Sequence, residues 1–213
     1  MQNRHIDRKR YFDELAKTSE EFYIDYLKPY KNIGPGCKVL EIGCGEGGNL
    51  LPFAQAGCKV AGLDLAAGKI DNARKFFATL ETEGEFACAD FLKTNPFEND
   101  GLFDIILIHD VIEHIEPEGK DAFFERLKMY LKPDGIIFFA FPAWQMPFGG
   151  HQQICRSKVC SKVPFMHVLP VFMYKAWLKL FGEQKDKIDE LLSIKRSRMT
   201  PEKFEKLCAG HGY

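Results

Sequence analysis

The residues best placed to do chemistry are acids interleaved with glycines near position 41. Val39-Leu40-Glu41-Ile42-Gly43-Cys44-Gly45-Glu46-Gly47-Gly48 runs from an apolar stretch into a glycine turn and on into a helix-like segment. Glycines at such a junction let a ligand approach the backbone and let strand and helix pack closely. The spacing Gly43, Gly45, Gly48 satisfies the dinucleotide fingerprint, a weak pattern alone, so NAD has to be weighed. A pyrophosphate, however, needs the positive end of a helix with no anion beside it. Here Glu41 stands at the expected strand tip and Glu46 inside the loop, while Asp64, Asp90 and Asp110 stand at the ends of later strands, with Glu113 close behind. In a parallel sheet these ends line one crevice, which is then acidic and repels a phosphate.

A ligand with a sulfonium, an ammonium and ribose hydroxyls, and no phosphate, suits that crevice: S-adenosylmethionine. Glu41-x-Gly43-x-Gly45-x-Gly47 resembles motif I of the class I S-adenosylmethionine-dependent methyltransferases. Asp64 matches the acid that in the family grips both ribose hydroxyls, and Ala89-Asp90-Phe91 resembles the segment whose acid accepts from the adenine amino group. Phe103-Asp104-Ile105 through Glu113-His114 resembles the fourth-strand motif of the small-molecule branch, which includes quinone-biosynthesis enzymes. Leu131-Lys132-Pro133-Asp134-Gly135 is similar to the family's LKPGG turn, with Asp134 where glycine is usual. The resemblance runs in order from about residue 38 to 141. It implies a cofactor set of Glu41, Gly43, Cys44, Gly45, Gly47, Asp64, Leu65, Asp90, Phe91 and His109, with S-adenosylhomocysteine as product. The family also closes its sheet with an antiparallel strand pair, which residues up to 213 do not supply.

The elements that must hold this loop alternate. Strands are expected at Lys38–Ile42, Lys59–Leu63, Glu85–Ala89, Phe103–His109 and Gly135–Phe141, and helices at Thr18–Tyr30, Gly48–Gln55, Lys69–Thr79 and Gly119–Tyr130. Lys132–Gly135 reads as a turn. This rhythm predicts an α/β fold: a Rossmann-like, doubly wound, mostly parallel sheet with helices on both faces. We read one domain, with an N-terminal helical cap (1–32), a cofactor core (33–142), a helical insertion or lid (143–199) and a last helix (200–213). In that last helix Thr200 serves as cap and Pro201 as first residue.

Methyl transfer from a sulfonium is an in-line displacement whose leaving group needs no acid, so acceleration comes mainly from alignment. A base is needed only if the acceptor atom must shed a proton, as oxygen would. His114 and His151 are the candidates. The first corresponds to a histidine common in the quinone branch, or else braces its loop; the second follows Gly149-Gly150, as a lid residue or a solvated one. His151, Cys155, Cys160 and His167 crowd one stretch, but their spacings fit no common zinc pattern, and no metal is expected. Val163–Phe181 is apolar with basic flanks; it can line an acceptor site, touch an anionic membrane surface, or pack as an ordinary core helix. The segment Tyr11–Tyr26, with Tyr11, Phe12 and Tyr23, is read as folding over the cofactor or as packing.

The bulk composition fits. Of 213 residues, 46% are hydrophobic and 28% charged, values of a globular chain, and the net charge of −1 gives nucleic acid no electrostatic reason to bind. Seven scattered cysteines and no apolar leader suit free thiols in the cytoplasm. The expectation is a methyltransferase acting on a small or lipid-linked acceptor, with oxygen preferred. An NAD(P)-linked oxidoreductase and a non-catalytic cofactor sensor are the alternatives. Acceptor identity and oligomeric state stay open.

Overall fold

The computed structural model describes residues 7–213, the side chain of Asn99 aside. The first six residues of the expected cap lie outside the described residues. Packing divides these residues into two compact units: 7–109 with 125–140, and 110–124 with 141–213.

The first unit holds a five-stranded, wholly parallel sheet of β1 (Lys38–Ile42), β2 (Lys59–Asp64), β3 (Glu85–Cys88), β4 (Phe103–His109) and β5 (Leu131–Ala140), in the order β3-β2-β1-β4-β5. The near-continuous apolar runs are explained by burial on both faces: neighbours Val39 and Leu40, and Ile105 and Ile106, are all fully enclosed. The order reverses between β2-β1 and β1-β4, and beyond the carboxyl ends of strands at such a switch point ligands bind. One face, carrying Val39, Val60, Ile105 and Leu107, packs under Phe12, Leu27, Leu50, Phe53, Ile70 and Phe77. These come from α1 (Arg8–Thr18), α2 (Ile24–Leu27), the turn at Gly48–Leu50, α3 (Leu51–Gln55) and α4 (Ala67–Thr79).

Several boundaries differ from the sequence expectation. Helix begins at Arg8, not Thr18, because Asp7 caps it by accepting from the Arg10 amide at 3.0 Å. A π-helical turn, Ser19–Tyr23, joins α1 to α2, and there the buried Ser19 hydroxyl donates to the Asn49 carbonyl at 2.7 Å. The expected turn at Lys132–Gly135 is absorbed into the start of β5, where pairing with β4 shifts register between Phe103 and Ile105. Proline and glycine there disturb the ladder without ending the strand. Asp134 is tied to Lys31 by a 2.7 Å ion pair.

The helix expected over Gly119–Tyr130 is α5 (Lys120–Lys128), which starts in the second unit and ends in the first. The second unit has its own core of Cys155, Cys160, Tyr174, Leu178, Ile188 and Leu191, in which α6 (Val171–Leu180) and α7 (Lys185–Ser197) pack with the two cysteines of the preceding loop. The apolar stretch 163–181 is therefore not one helix. Pro164 and Pro170 confine the α-helix to Val171 onward, and only Tyr174 and Leu178 of it are buried. Val168, Val171, Phe172, Met173 and Leu180 are exposed. The Lys195 ammonium fastens the start of α6 by donating to the carbonyls of His167 and Leu169 at 2.6 and 2.7 Å. The last helix, α8 (Pro201–Gly210), has the expected cap, with Thr200 Oγ1 accepting from the Lys203 amide. Among the described residues no helix is long and apolar enough to cross a membrane.

Candidate functional site

The glycine turn leaves β1 with Gly43, Gly45 and Gly47 all at positive φ (75°, 55° and 81°), which side-chain-bearing residues adopt only under strain. Its amides are largely spent inside the protein. Gly43 and Cys44 donate to the Leu63 carbonyl at 2.8 and 2.9 Å, Gly45 to Asp64 Oδ2 at 3.0 Å, and Gly47 to the Cys44 carbonyl at 2.8 Å. A phosphate cradle needs such amides free and pointing at the ligand. This loop does not offer those four.

The acids are where the ligand has to be read. Glu41, at 1% exposure, accepts from the Asn49 amide nitrogen at 2.7 Å through Oε1, while its Oε2 is buried with no partner. Burial pushes its pKa up to about 8, with Asp64 adding to the rise and Asn49 opposing it. Asn49 also meets His109 Nδ1 at 3.2 Å, and its own Oδ1 has no partner. Asp64, at the tip of β2, receives the Gly45 and Ala66 amides, one on each oxygen, with Lys69 at 3.5 Å. Each Asp64 oxygen retains a lone pair, the arrangement a vicinal diol can use. Leu65 beside it is 73% exposed, an apolar surface next to an acid, suited to a purine ring.

Asp90 closes its own turn by accepting from the Leu92 amide at 3.0 Å, and Lys93 at 2.9 Å helps hold its pKa below the usual carboxylate range. Phe91 is buried, its ring 5.3 Å from that of Tyr130, so its side chain serves packing. Glu46 is also enclosed: Arg8 of α1 donates to it from Nε at 2.6 Å, and its second oxygen has no partner. Phe12 is core, packed on Phe76 and Phe77, and Tyr23 lies against Phe138 and His109. The contributions of Asn49 and Arg8 were not legible in sequence. Asn49 could have been noticed as a polar residue in the first turn after the glycines, whereas nothing marks Arg8.

A fit to S-adenosylmethionine therefore rests on two orphaned buried carboxylate oxygens for cationic groups, and on Asp64 with exposed Leu65 for ribose and adenine. The first unit brings together all ten of the expected cofactor residues, from Glu41 to His109.

The expected catalytic histidines belong to the second unit. His151 Nε2 lies 2.9 Å from Glu113 Oε1, and the His114 and His151 rings are 5.1 Å apart and nearly perpendicular. Burial lowers the His151 pKa, but Glu113, with Asp110 and Glu190, more than offsets this and gives a net rise; for His114 burial prevails and the pKa falls. His151 adopts φ 56°, uncommon for a residue with a side chain. Cys155, Cys160 and His167, by contrast, are fully buried, and His167 Nε2 meets the Trp144 carbonyl at 2.9 Å.

Residues 39–135 match the family model described as Methyltransferase domain. The chain is 29% identical to phosphoethanolamine N-methyltransferase 1 of Zea mays over 211 residues, which cover 92% of this chain and 40% of that protein. It is 32% identical to the ubiquinone biosynthesis O-methyltransferase of Actinobacillus pleuropneumoniae serotype 7 (strain AP76) over 123 residues, 55% of this chain and 50% of that protein. The chain thus spans no more than half the length of either relative. In fold it is similar to magnesium protoporphyrin IX methyltransferase from Synechocystis PCC 6803 with bound SAH, with TM-score 0.59 and 18% identity over 92% of this chain and 72% of that one. Sheet order, acid-ringed glycine turn and family match agree: the chain carries a class I S-adenosylmethionine-dependent methyltransferase domain.

Proposed function

We propose that the protein transfers the methyl group of S-adenosylmethionine to an oxygen of a small or lipid-like acceptor. The observation carrying the cofactor side is the pair of enclosed acids, Glu41 and Asp64, around a turn whose amides are already used. S-adenosylmethionine supplies an electrophilic methyl on a sulfonium. Glu41 answers positive charge, Asp64 holds the ribose and Gly45, with no atom closer than 4.0 Å to where a side chain would start, leaves the approach open. Relatives are named for both oxygen and nitrogen acceptors. Oxygen is favoured because Glu113, His114 and His151 are groups of the kind that promote loss of a hydroxyl proton on methylation, directly or through a bound ion. A nitrogen acceptor that is already neutral would not require it.

The exposed apolar side chains of α6, with exposed Lys175 and Lys179 among them, support contact with an anionic lipid surface where a lipid-linked acceptor resides. The seven cysteines are all free thiols, which supports a reducing, cytoplasmic setting. The test is transfer of labelled methyl from S-adenosylmethionine into a cell extract, followed by identification of the labelled bond. Label in an ether or ester, lost in Asp64→Ala, is expected. Label on nitrogen would overturn the oxygen reading, and no label with intact cofactor binding would favour a sensor.

A further inference from the structure

We infer that Glu113, His114 and His151, all of the second unit, form a binding site for one divalent transition-metal ion. The site does not rest on the methyltransferase reading.

The three side chains offer one carboxylate oxygen and two imidazole nitrogens, all within 4.8 Å of one another, and they are the one such group among the described residues. Ligands on a shared ion at ~2.1 Å stand on the order of 3.4 Å apart, so small side-chain rotations close the set. Glu113 is the informative member. It is 1% exposed, and apart from the ion-pair contact with His151 neither oxygen has a hydrogen-bonding partner. A buried carboxylate normally gathers amides or hydroxyls, and leaving it bare is costly. The nearby ammonium does not relieve it: Lys120 donates to the Ile112 carbonyl at 2.6 Å. Asp110 and Glu190 add negative potential at the histidines, which favours a dication over a lone protonated imidazole.

Two imidazoles and one carboxylate suit manganese, iron, cobalt or zinc better than calcium or magnesium, which prefer all-oxygen sets. Three protein ligands also leave coordination positions open, as catalytic rather than structural sites do.

The sequence expectation of no metal weighed only His151 with Cys155, Cys160 and His167, and missed this set because Glu113-His114 is far from His151 along the chain.

The experiment uses the full chain stripped with a chelator and titrated with Co2+, reading the visible absorption of the bound ion, with S-adenosylhomocysteine affinity measured by calorimetry on the same samples. The expected result is one Co2+ per chain, displaced by Zn2+. The affinity should fall at least tenfold in Glu113→Gln and in His151→Ala, while S-adenosylhomocysteine affinity holds. Should Glu113→Gln fail to fold, His114→Ala and His151→Ala carry the comparison. Absence of saturable Co2+ binding in wild type, or equal binding in folded variants, overturns the metal site. Saturable Co2+ binding with no S-adenosylhomocysteine binding would leave the site standing and overturn the methyltransferase reading.

Discussion

Replacing Glu41 by Gln separates the two consequences of enclosing an acid beside the cofactor turn. The carboxyl is isosteric with the amide, and Gln Oε1 can keep the 2.7 Å bond from Asn49, so packing is preserved. What changes is the charge. Burial lifts the Glu41 pKa from 4.5 to about 8. Because the folded pKa is the higher one, its contribution to stability is fully present below pH 4.5 and is lost as pH rises through 8. At ~1.4 kcal/mol per pH unit, the full effect above pH 8 is at most roughly 5 kcal/mol of destabilisation. Glu41→Gln should therefore match wild type at pH 4 and be more stable at pH 9. At about 2–4 °C per kcal/mol for a chain of this size, the gain is a rise of up to roughly 10–20 °C in Tm. Binding should move the other way. A cationic ligand stabilises the carboxylate and expels its proton, so wild-type affinity for S-adenosylmethionine should climb between pH 6 and 8, by up to ~tenfold per unit. Calorimetry in buffers of different ionisation enthalpy reads the released proton. The Gln variant should bind more weakly and release none from this position. Equal proton release and equal pH slopes in both proteins would refute the assignment of Glu41 as a partner of positive charge.

Other outcomes follow from the same site. Asp64→Asn presents an NH2 to the Gly45 or Ala66 amide, and should weaken S-adenosylhomocysteine binding at least tenfold, or ~1.4 kcal/mol, as read by calorimetry. Gly62→Ala would place a methyl 2.7 Å from Cys44 Sγ and 3.0 Å from Leu50 Cδ1, deforming the turn from beneath; thermal unfolding should report a loss of ~1–3 kcal/mol. Phe172→Ser, at a side chain 73% exposed, should leave Tm within a degree or two while reducing co-flotation with anionic phospholipid vesicles. Unchanged flotation would remove the support for lipid contact.

The sheet was legible because its signal is local and strong: Lys38–Ile42 and Phe103–His109 are strands over the residues that their apolar runs predict. The acids were legible because they stand at or just beyond the carboxyl ends of strands. Boundaries failed where a single side chain decides them, as with Asp7 starting α1, or where pairing overrides turn residues, as at Lys132–Gly135. The polar partners were the hardest to foresee. Asn49 meets Glu41 and His109 only once a helix folds back over β1, and Glu113 meets His151 only across a long excursion of chain. Spacing rules register neighbours along one element, and neither contact is of that kind.

The claim that the acid-ringed turn is an S-adenosylmethionine site is tested most directly by titrating the protein in parallel with S-adenosylhomocysteine and with NAD. Saturation by one S-adenosylhomocysteine per chain, its loss in Asp64→Ala, and no response to NAD are the predicted results. Binding of NAD without binding of S-adenosylhomocysteine would contradict it.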